Sequence, residues 1–97
     1  MNIDERSRFL LERAQSEPRS VLEDGRSVLG EVVDDDSRAV ALRAMAIAAR
    51  NVGSIDESVE LAEEAAGIAR DGVVRREALA TLAGAMATRG EIPRALG

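Results

Sequence analysis

The segment RAVALRAMAIAARNVGSI, from Arg38 to Ile55, returns thirty-seven residues later as RREALATLAGAMATRGEI, from Arg75 to Ile92. In that register Leu42 matches Leu79, Met45 matches Leu82, Ala46 matches Ala83, Gly53 matches Gly90 and Ile55 matches Ile92. A period in the range of about 20–50 residues restricts a chain to arrays of supersecondary units that bury their apolar faces against one another. Composition then decides what the unit is. Hydrophobic residues make up 45% of the chain, but 17 of the 97 residues are alanine and the only aromatic is Phe9, so the core must be thin. Alanine has the best helix propensity and lets backbones approach closely, while the β-branched and aromatic residues that favour strands are few. One small all-α domain is expected, burying about two thirds of its unfolded surface.

Helical periodicity predicts five helices, near 3–15, 18–33, 37–51, 56–70 and 74–89. The first carries Ile3, Leu10 and Ala14 on one face with Phe9 and Leu11 beside it, and Ser16-Glu17-Pro18 breaks it. Pro18 suits the first turn of the second, where its missing N–H has no partner to lose. Val21, Leu22, Gly25, Val28, Leu29, Val32 and Val33 form the stripe of that helix, opposite Glu23, Asp24, Arg26 and Glu31. Asp34-Asp35-Asp36-Ser37 lacks the Gly-centred loop and distal Glu of a calcium site, and is read as a solvated turn capping the third helix. Gly53 is expected to stop that helix in a left-handed conformation. Ser54 and Glu57 have the spacing of a capping box at the start of the fourth, which should bury Val59, Ala62, Ala65, Ala66 and Ala69. Asp71-Gly72 should end it. The fifth presents Leu79, Leu82, Ala83 and Met86 and closes at Gly90, after which Ile92 to Leu96 matches Ile55 to Val59 as the stub of a sixth. Short links imply antiparallel neighbours.

These repeats resemble the tetratricopeptide family, whose helix-turn-helix unit reads W-x2-L-G-x2-Y, then A-x3-F, A and P. The central unit offers Leu42-x2-Met45-Ala46-x2-Ala49, Gly53, Ser58-x3-Ala62 and Ala65, and the last offers Leu79-x2-Leu82-Ala83-x2-Met86, Gly90 and Ala95. Leu42, Leu79, Ala49, Met86 and Ala62 fill the aromatic positions, and Arg70 the terminal proline position. The resemblance implies antiparallel helix-turn-helix repeats in a right-handed α-solenoid, five helices plus a stub. Residues 1–97 then form a single domain: a capping or degenerate pair over 1–36, where Ser7 and Arg8 depart from the pattern, a central repeat over 37–72 and a truncated last repeat over 73–97. The Ala/Arg/Glu-rich style is similar to the N-terminal repeats of bacterial caspase-like (CHAT-domain) proteins, whose peptidase lies in a separate domain with a His/Cys pair. It is similar also to the repeats of large repeat-bearing regulators, and with the second half of the last pair missing, the chain is expected to be the N-terminal part or a relative of a larger bacterial regulatory protein.

Cysteine, histidine and lysine are all absent. Thiolate and imidazole metal sites, Cys/His and Ser/His dyads, Schiff-base lysines and the phosphate-loop lysine go with them, so neither catalysis nor a cofactor or metal is expected. Arginine as the sole cation, beside abundant Ala and Gly, looks like the codon bias of a GC-rich bacterial genome. The formal charge is −5, and residues 1–37 hold ten acids against five arginines, while 38–97 hold eight against eight. No basic stripe with stacking aromatics exists for nucleic acid. No signal-peptide pattern opens the chain, and the longest apolar run, Ala44 to Ala49, is far below the roughly 20 residues of a membrane span. A cytoplasmic, non-catalytic scaffold is expected, binding a protein or peptide partner or another domain of the same protein.

The family resemblance places ligand contacts on the face lined by the first helix of each pair. On this chain the candidates are Arg43, Ile47, Arg50 and Asn51 of the third helix and Glu77, Thr81 and Thr88 of the fifth. Arg43 and Arg50 share one face and suit an acidic peptide or a C-terminal carboxylate, although Ile47 stands where the family's carboxylate-holding pattern has asparagine. A second expectation concerns the fifth helix. Leu79, Leu82 and Met86 lack a following helix to cover them, and a two-fold pairing of two chains through this stripe is the simplest closed solution. A self-assembling or intramolecular regulatory segment of a CHAT-type peptidase, with no peptide ligand of its own, is the alternative function that the resemblance implies.

Overall fold

Three of the helices begin on an aspartate. In a computed structural model, which describes residues 2–90, Asp4 accepts from the backbone N–H of Arg6, Asp34 from Ser37, and Asp71 from both Val73 and Val74. Each carboxylate satisfies orphan donors of a first helical turn and favours its positive end. These caps open α1 (Glu5–Arg13), α3 (Asp35–Asn51) and α5 (Gly72–Arg89), while α2 (Pro18–Glu31) starts on its proline and α4 spans Ile55–Ile68. The described residues contain no strand, and 81% of them are helical, more than the half that a helical array requires.

All five expected helices are present, with ends shifted by about two residues, the usual fraying uncertainty. Four local readings are corrected. Asp71-Gly72 starts α5 rather than ending α4, because the Asp71 carboxylate faces forward onto Val73 and Val74. Ser54 precedes α4 without a side-chain capping bond, so the Ser54/Glu57 box does not form. Its backbone N–H instead donates to Ala49 O at 2.8 Å while Gly53 N–H donates to Arg50 O, the two bonds that close α3 around left-handed Gly53 (φ 87°). Val33 does not extend the α2 stripe; it lies beyond the helix end and is 89% exposed. Ser7 does not spoil α1: it is fully buried, and its hydroxyl donates to Ser37 O at 2.8 Å. The stub over Ile92 to Leu96 lies outside the described residues.

Hydrogen bonds fix the directions of the helices. The Asp4 N–H donates to Ser37 Oγ at 2.8 Å, and Asn51 Nδ2 donates to Ala14 O at 3.3 Å, so α1 runs parallel to α3. Asp36 Oδ1 accepts from the Asp71 N–H at 3.0 Å while Arg43 meets Thr81 further down, so α5 is also parallel to α3. α4 is antiparallel, with Ser58 near its start donating to Ala46 O at 2.7 Å and Ala69 beyond its end clustered with Ala39 and Leu42.

α3 packs against all four other helices, and among the described residues the backbones of α1 and α2 do not come close to those of α4 and α5. Contacts restricted to near neighbours along the chain are what helical repeats require. Nine of the 17 residues of α3 are buried. One cluster joins Leu10, Ala14, Val21, Ala41, Ala44 and Ala48, and a second joins Ala39, Leu42, Ala65, Ala69, Val74 and Ala78. The alanines let the backbones come close, and at one place only glycine suffices. A Cβ on Gly25 of α2 would lie 2.6 Å from the Met45 side chain.

One device recurs at the helix junctions. Arg8, Arg38 and Arg75 each stand four residues after a capping aspartate. Arg38 donates to Leu29 O at 2.6 Å, and Arg75 to Ala69 O at 3.1 Å, so each holds carbonyls at the end of the preceding helix, where positive charge is favoured. Arg8 has no preceding helix among the described residues, and it turns to the face considered next.

Candidate binding face

Because α1, α3 and α5 are parallel and share α3, they present one continuous face. Along α3 that face carries Val40, Arg43, Ile47 and Arg50, at the spacing of a single helical stripe. Ile47 is half-buried, packed on the Leu10–Ala14–Ala44–Ala48 core, and forms part of the apolar floor. Toward the helix N-termini the floor opens into a pocket of about 170 Å³ between the three helices. Ile3 and Leu11 supply one wall, Val40 the base, and Val73 and Val74 the other wall, with Arg8, Arg43 and Glu77 at the mouth.

The polar groups are arranged around Arg43. Its Nε donates to Thr81 Oγ1 at 3.0 Å and one terminal nitrogen donates to Glu77 at 2.9 Å. Arg43, Glu77 and Thr81 are therefore brought together, and Arg43 is engaged across the α3–α5 junction instead of standing alone as a solvated arginine. Arg50 lies over Gly84, where a Cβ would sit 2.7 Å from its guanidinium; the missing side chain leaves room for the cation. Asn51 is tied to the end of α1, and the Thr88 hydroxyl donates back to Gly84 O at 2.9 Å within its own helix. Those two positions are occupied by local bonds.

Six lining residues are not among the sequence candidates: Ile3, Arg8 and Leu11 from the first pair, Val40 of α3, and Val73 and Val74 of α5. Counting from the capping aspartates would not have found Arg8 and Leu11, since it aligns Arg8 with the carbonyl-holding Arg38 and Arg75 and Leu11 with the buried Ala41 and Ala78. Among the described residues Arg8 and Arg50 meet no carboxylate, although the chain as a whole is acidic. The same holds of Arg19, Arg26 and Arg76, and Arg38 and Arg75 meet only backbone carbonyls, whereas Arg6, Arg13, Arg43, Arg70 and Arg89 are paired with carboxylates. Asp35 raises the pKa of Arg70 through a 2.7 Å hydrogen bond, and the Arg6 guanidinium lowers that of Asp4.

The other predicted surface is resolved residue by residue. Leu79 is 47% exposed, whereas Leu82 and Met86 are half-buried. Leu82 is the register mate of Met45, which lies against the preceding helix at Gly25, so it does not belong to the open stripe. Ala83 is exposed, unlike its register mate Ala46, which is fully buried.

Among the described residues no group of three or more acidic side chains is placed to hold a metal, and no helix is long and apolar enough to cross a membrane. Every buried side-chain polar atom among them has a hydrogen-bond partner. The fold and the face together define a small all-helical domain built of helix pairs. Compared with protein-family models, with curated proteins and with solved structures, the chain finds no match.

Proposed function

We propose that the chain is a non-catalytic protein-interaction module that takes an extended peptide segment of its partner along the α1–α3–α5 face. The observation that carries this reading is the apolar pocket at one end of a continuous three-helix face, with arginines at its mouth and further along. Its size suits one aliphatic side chain. From Arg8 to the level of Arg50 the face runs about 18 Å at 1.5 Å per helical residue, the length of five or six extended residues. Arg8 and Arg50 lack carboxylates of their own, so acidic groups in the bound segment would complete them by charge-assisted hydrogen bonds. The resemblance to tetratricopeptide repeats supports the same face, and the absence of cysteine, histidine and lysine from the sequence supports the non-catalytic reading.

The test is the double variant Arg43→Glu plus Arg50→Glu. Both side chains sit at the surface, so the helix content should be retained while affinity for an acidic partner segment is lost. Unchanged affinity in a folded double variant would show that the face is not the binding surface.

A further inference from the structure

The internal repeat shows what the open side of α5 is built to receive. On α3, Leu42 is 1% exposed and Ala46 and Ala49 are fully buried; Ala46 O takes the Ser58 hydroxyl of α4, and Leu42 clusters with Ala65 and Ala69. Their register mates on α5 are Leu79, Ala83 and Met86. Leu79 and Ala83 are exposed and Met86 is half-buried. The same ridge of one large and one small apolar residue per turn is thus seen once with a helix seated on it and once open among the described residues. Ridge-into-groove packing at short range depends on this alternation, so the helix that fits carries small residues at the spacing of Ser58, Ala62 and Ala65.

Two positions differ: Met86 stands where α3 has Ala49, and the second difference specifies the charge of the occupant. Ala39, buried beside Ala65 and Ala69 at the end of α4, is replaced on α5 by Arg76. Arg76 is exposed and meets no carboxylate among the described residues. α5 as a whole carries Arg75, Arg76 and Arg89 against Glu77, whereas α4 carries Asp56, Glu57, Glu60, Glu63 and Glu64 and no arginine within Ile55–Ile68. Arg89 already reaches Asp56 of α4 at 3.2 Å.

We infer that Leu79, Ala83 and Met86 of α5 form a docking surface for an acidic amphipathic helix of a partner protein, antiparallel to α5, with a small-residue ridge and a carboxylate near its C-terminal end opposite Arg76. This surface is separate from the α1–α3–α5 face and does not depend on it.

The probe is a labelled 17-residue peptide with the sequence of residues 54–70, in parent form and with Ala69→Glu, titrated into the 97-residue chain and followed by fluorescence anisotropy. The Ala69→Glu peptide should bind about tenfold more tightly than the parent, the size of one charge-assisted bond, and the advantage should vanish in the Arg76→Ala chain. Leu79→Glu should abolish binding of both peptides with helix content unchanged, and Ala83→Glu should do the same from a second exposed position. A photo-crosslinker at the Ala62 position of the peptide should label residues 79–86. Labelling of residues 39–49 instead would mean exchange with the chain's own α4 and would overturn the inference. So would the absence of binding at high micromolar chain, or a Leu79-dependent dimer that excludes the peptide.

Discussion

Ala46 and Ala83 occupy the same position in two copies of one sequence pattern, but one is fully buried and the other exposed. Leucine at each position is therefore a controlled comparison. At Ala46 three added carbons enter a closed α3–α4 contact, and overpacking of this kind costs about 1–3 kcal/mol. The same displacement draws the Ser58 hydroxyl from Ala46 O, now 2.7 Å away in a buried site. Leaving that hydroxyl unsatisfied adds about 1–3 kcal/mol. The sum, about 2–6 kcal/mol, is a large fraction of the roughly 5–15 kcal/mol that holds a small domain together. At about 4–8 °C per kcal/mol for a domain of this size, Ala46→Leu should lower the melting temperature by at least about 8 °C. Ala83→Leu should stay within about 0.5 kcal/mol of the parent, as an exposed helical substitution between two good helix formers. Circular dichroism melts of the two variants decide the matter. Equal melting temperatures, or an Ala46→Leu melt that coincides with the parent, would refute the seating of α4 on α3.

Asp36→Ala should cost about 1–3 kcal/mol in urea unfolding, because Asp36 Oδ1 accepts from the N–H groups of both Arg70 and Asp71; Asp36→Asn, which keeps an acceptor oxygen, should cost less than half as much. Gly25→Ala should destabilise by about 1–3 kcal/mol by pushing on Met45, whereas Gly30→Ala, whose new Cβ meets nothing within 4 Å, should stabilise by up to about 1 kcal/mol through helix propensity, both read by the same urea series. The hydrogen bonds from the side chain and backbone of Arg6 depress the Asp4 pKa below its ordinary 3.8, so the stabilisation from this cap is present above that value and is lost as the pH falls through the lowered pKa. The melting-temperature gap between parent and Asp4→Ala should accordingly be widest near neutral pH and close in acid; a gap that persists unchanged to pH 2 would contradict the assignment.

The helices were legible because alanine-rich periodicity and punctuation by Pro18, Gly53 and Gly90 are local signals. What failed was local as well, but ambiguous. Asp71-Gly72 ends one helix as plausibly as it starts the next, and only the direction of the Asp71 carboxylate, set by where Val73 and Val74 lie, separates the two. Ser54 and Glu57 have capping-box spacing, but the Ser54 N–H is drawn back onto Ala49 by the left-handed turn at Gly53, and the hydroxyl does not cap α4. Of the candidate face, Arg43, Glu77 and Thr81 were implied by the family resemblance, but the hydrogen bonds of Arg43 to the other two depend on α3 and α5 being parallel at a particular offset. The share of α1 was missed because Ser7 and Arg8 looked like defects in an amphipathic stripe. In the fold Ser7 is a buried hydroxyl tied to Ser37 O, and Arg8 is the member of a three-arginine series that lacks a preceding helix among the described residues.

The claim that binding runs along the parallel helices is tested most directly by placing a photo-crosslinking residue at Ile47, on the floor of that face, and another at Glu63, on the exposed side of α4. Both variants are exposed to one probe, a ten-residue peptide pool with a fixed central leucine among Asp, Glu, Ser and Gly. The account predicts crosslinked peptide from the Ile47 variant, suppressed by Arg8→Glu, and none from the Glu63 variant. Equal labelling at the two positions, or labelling at Glu63 alone, would contradict it.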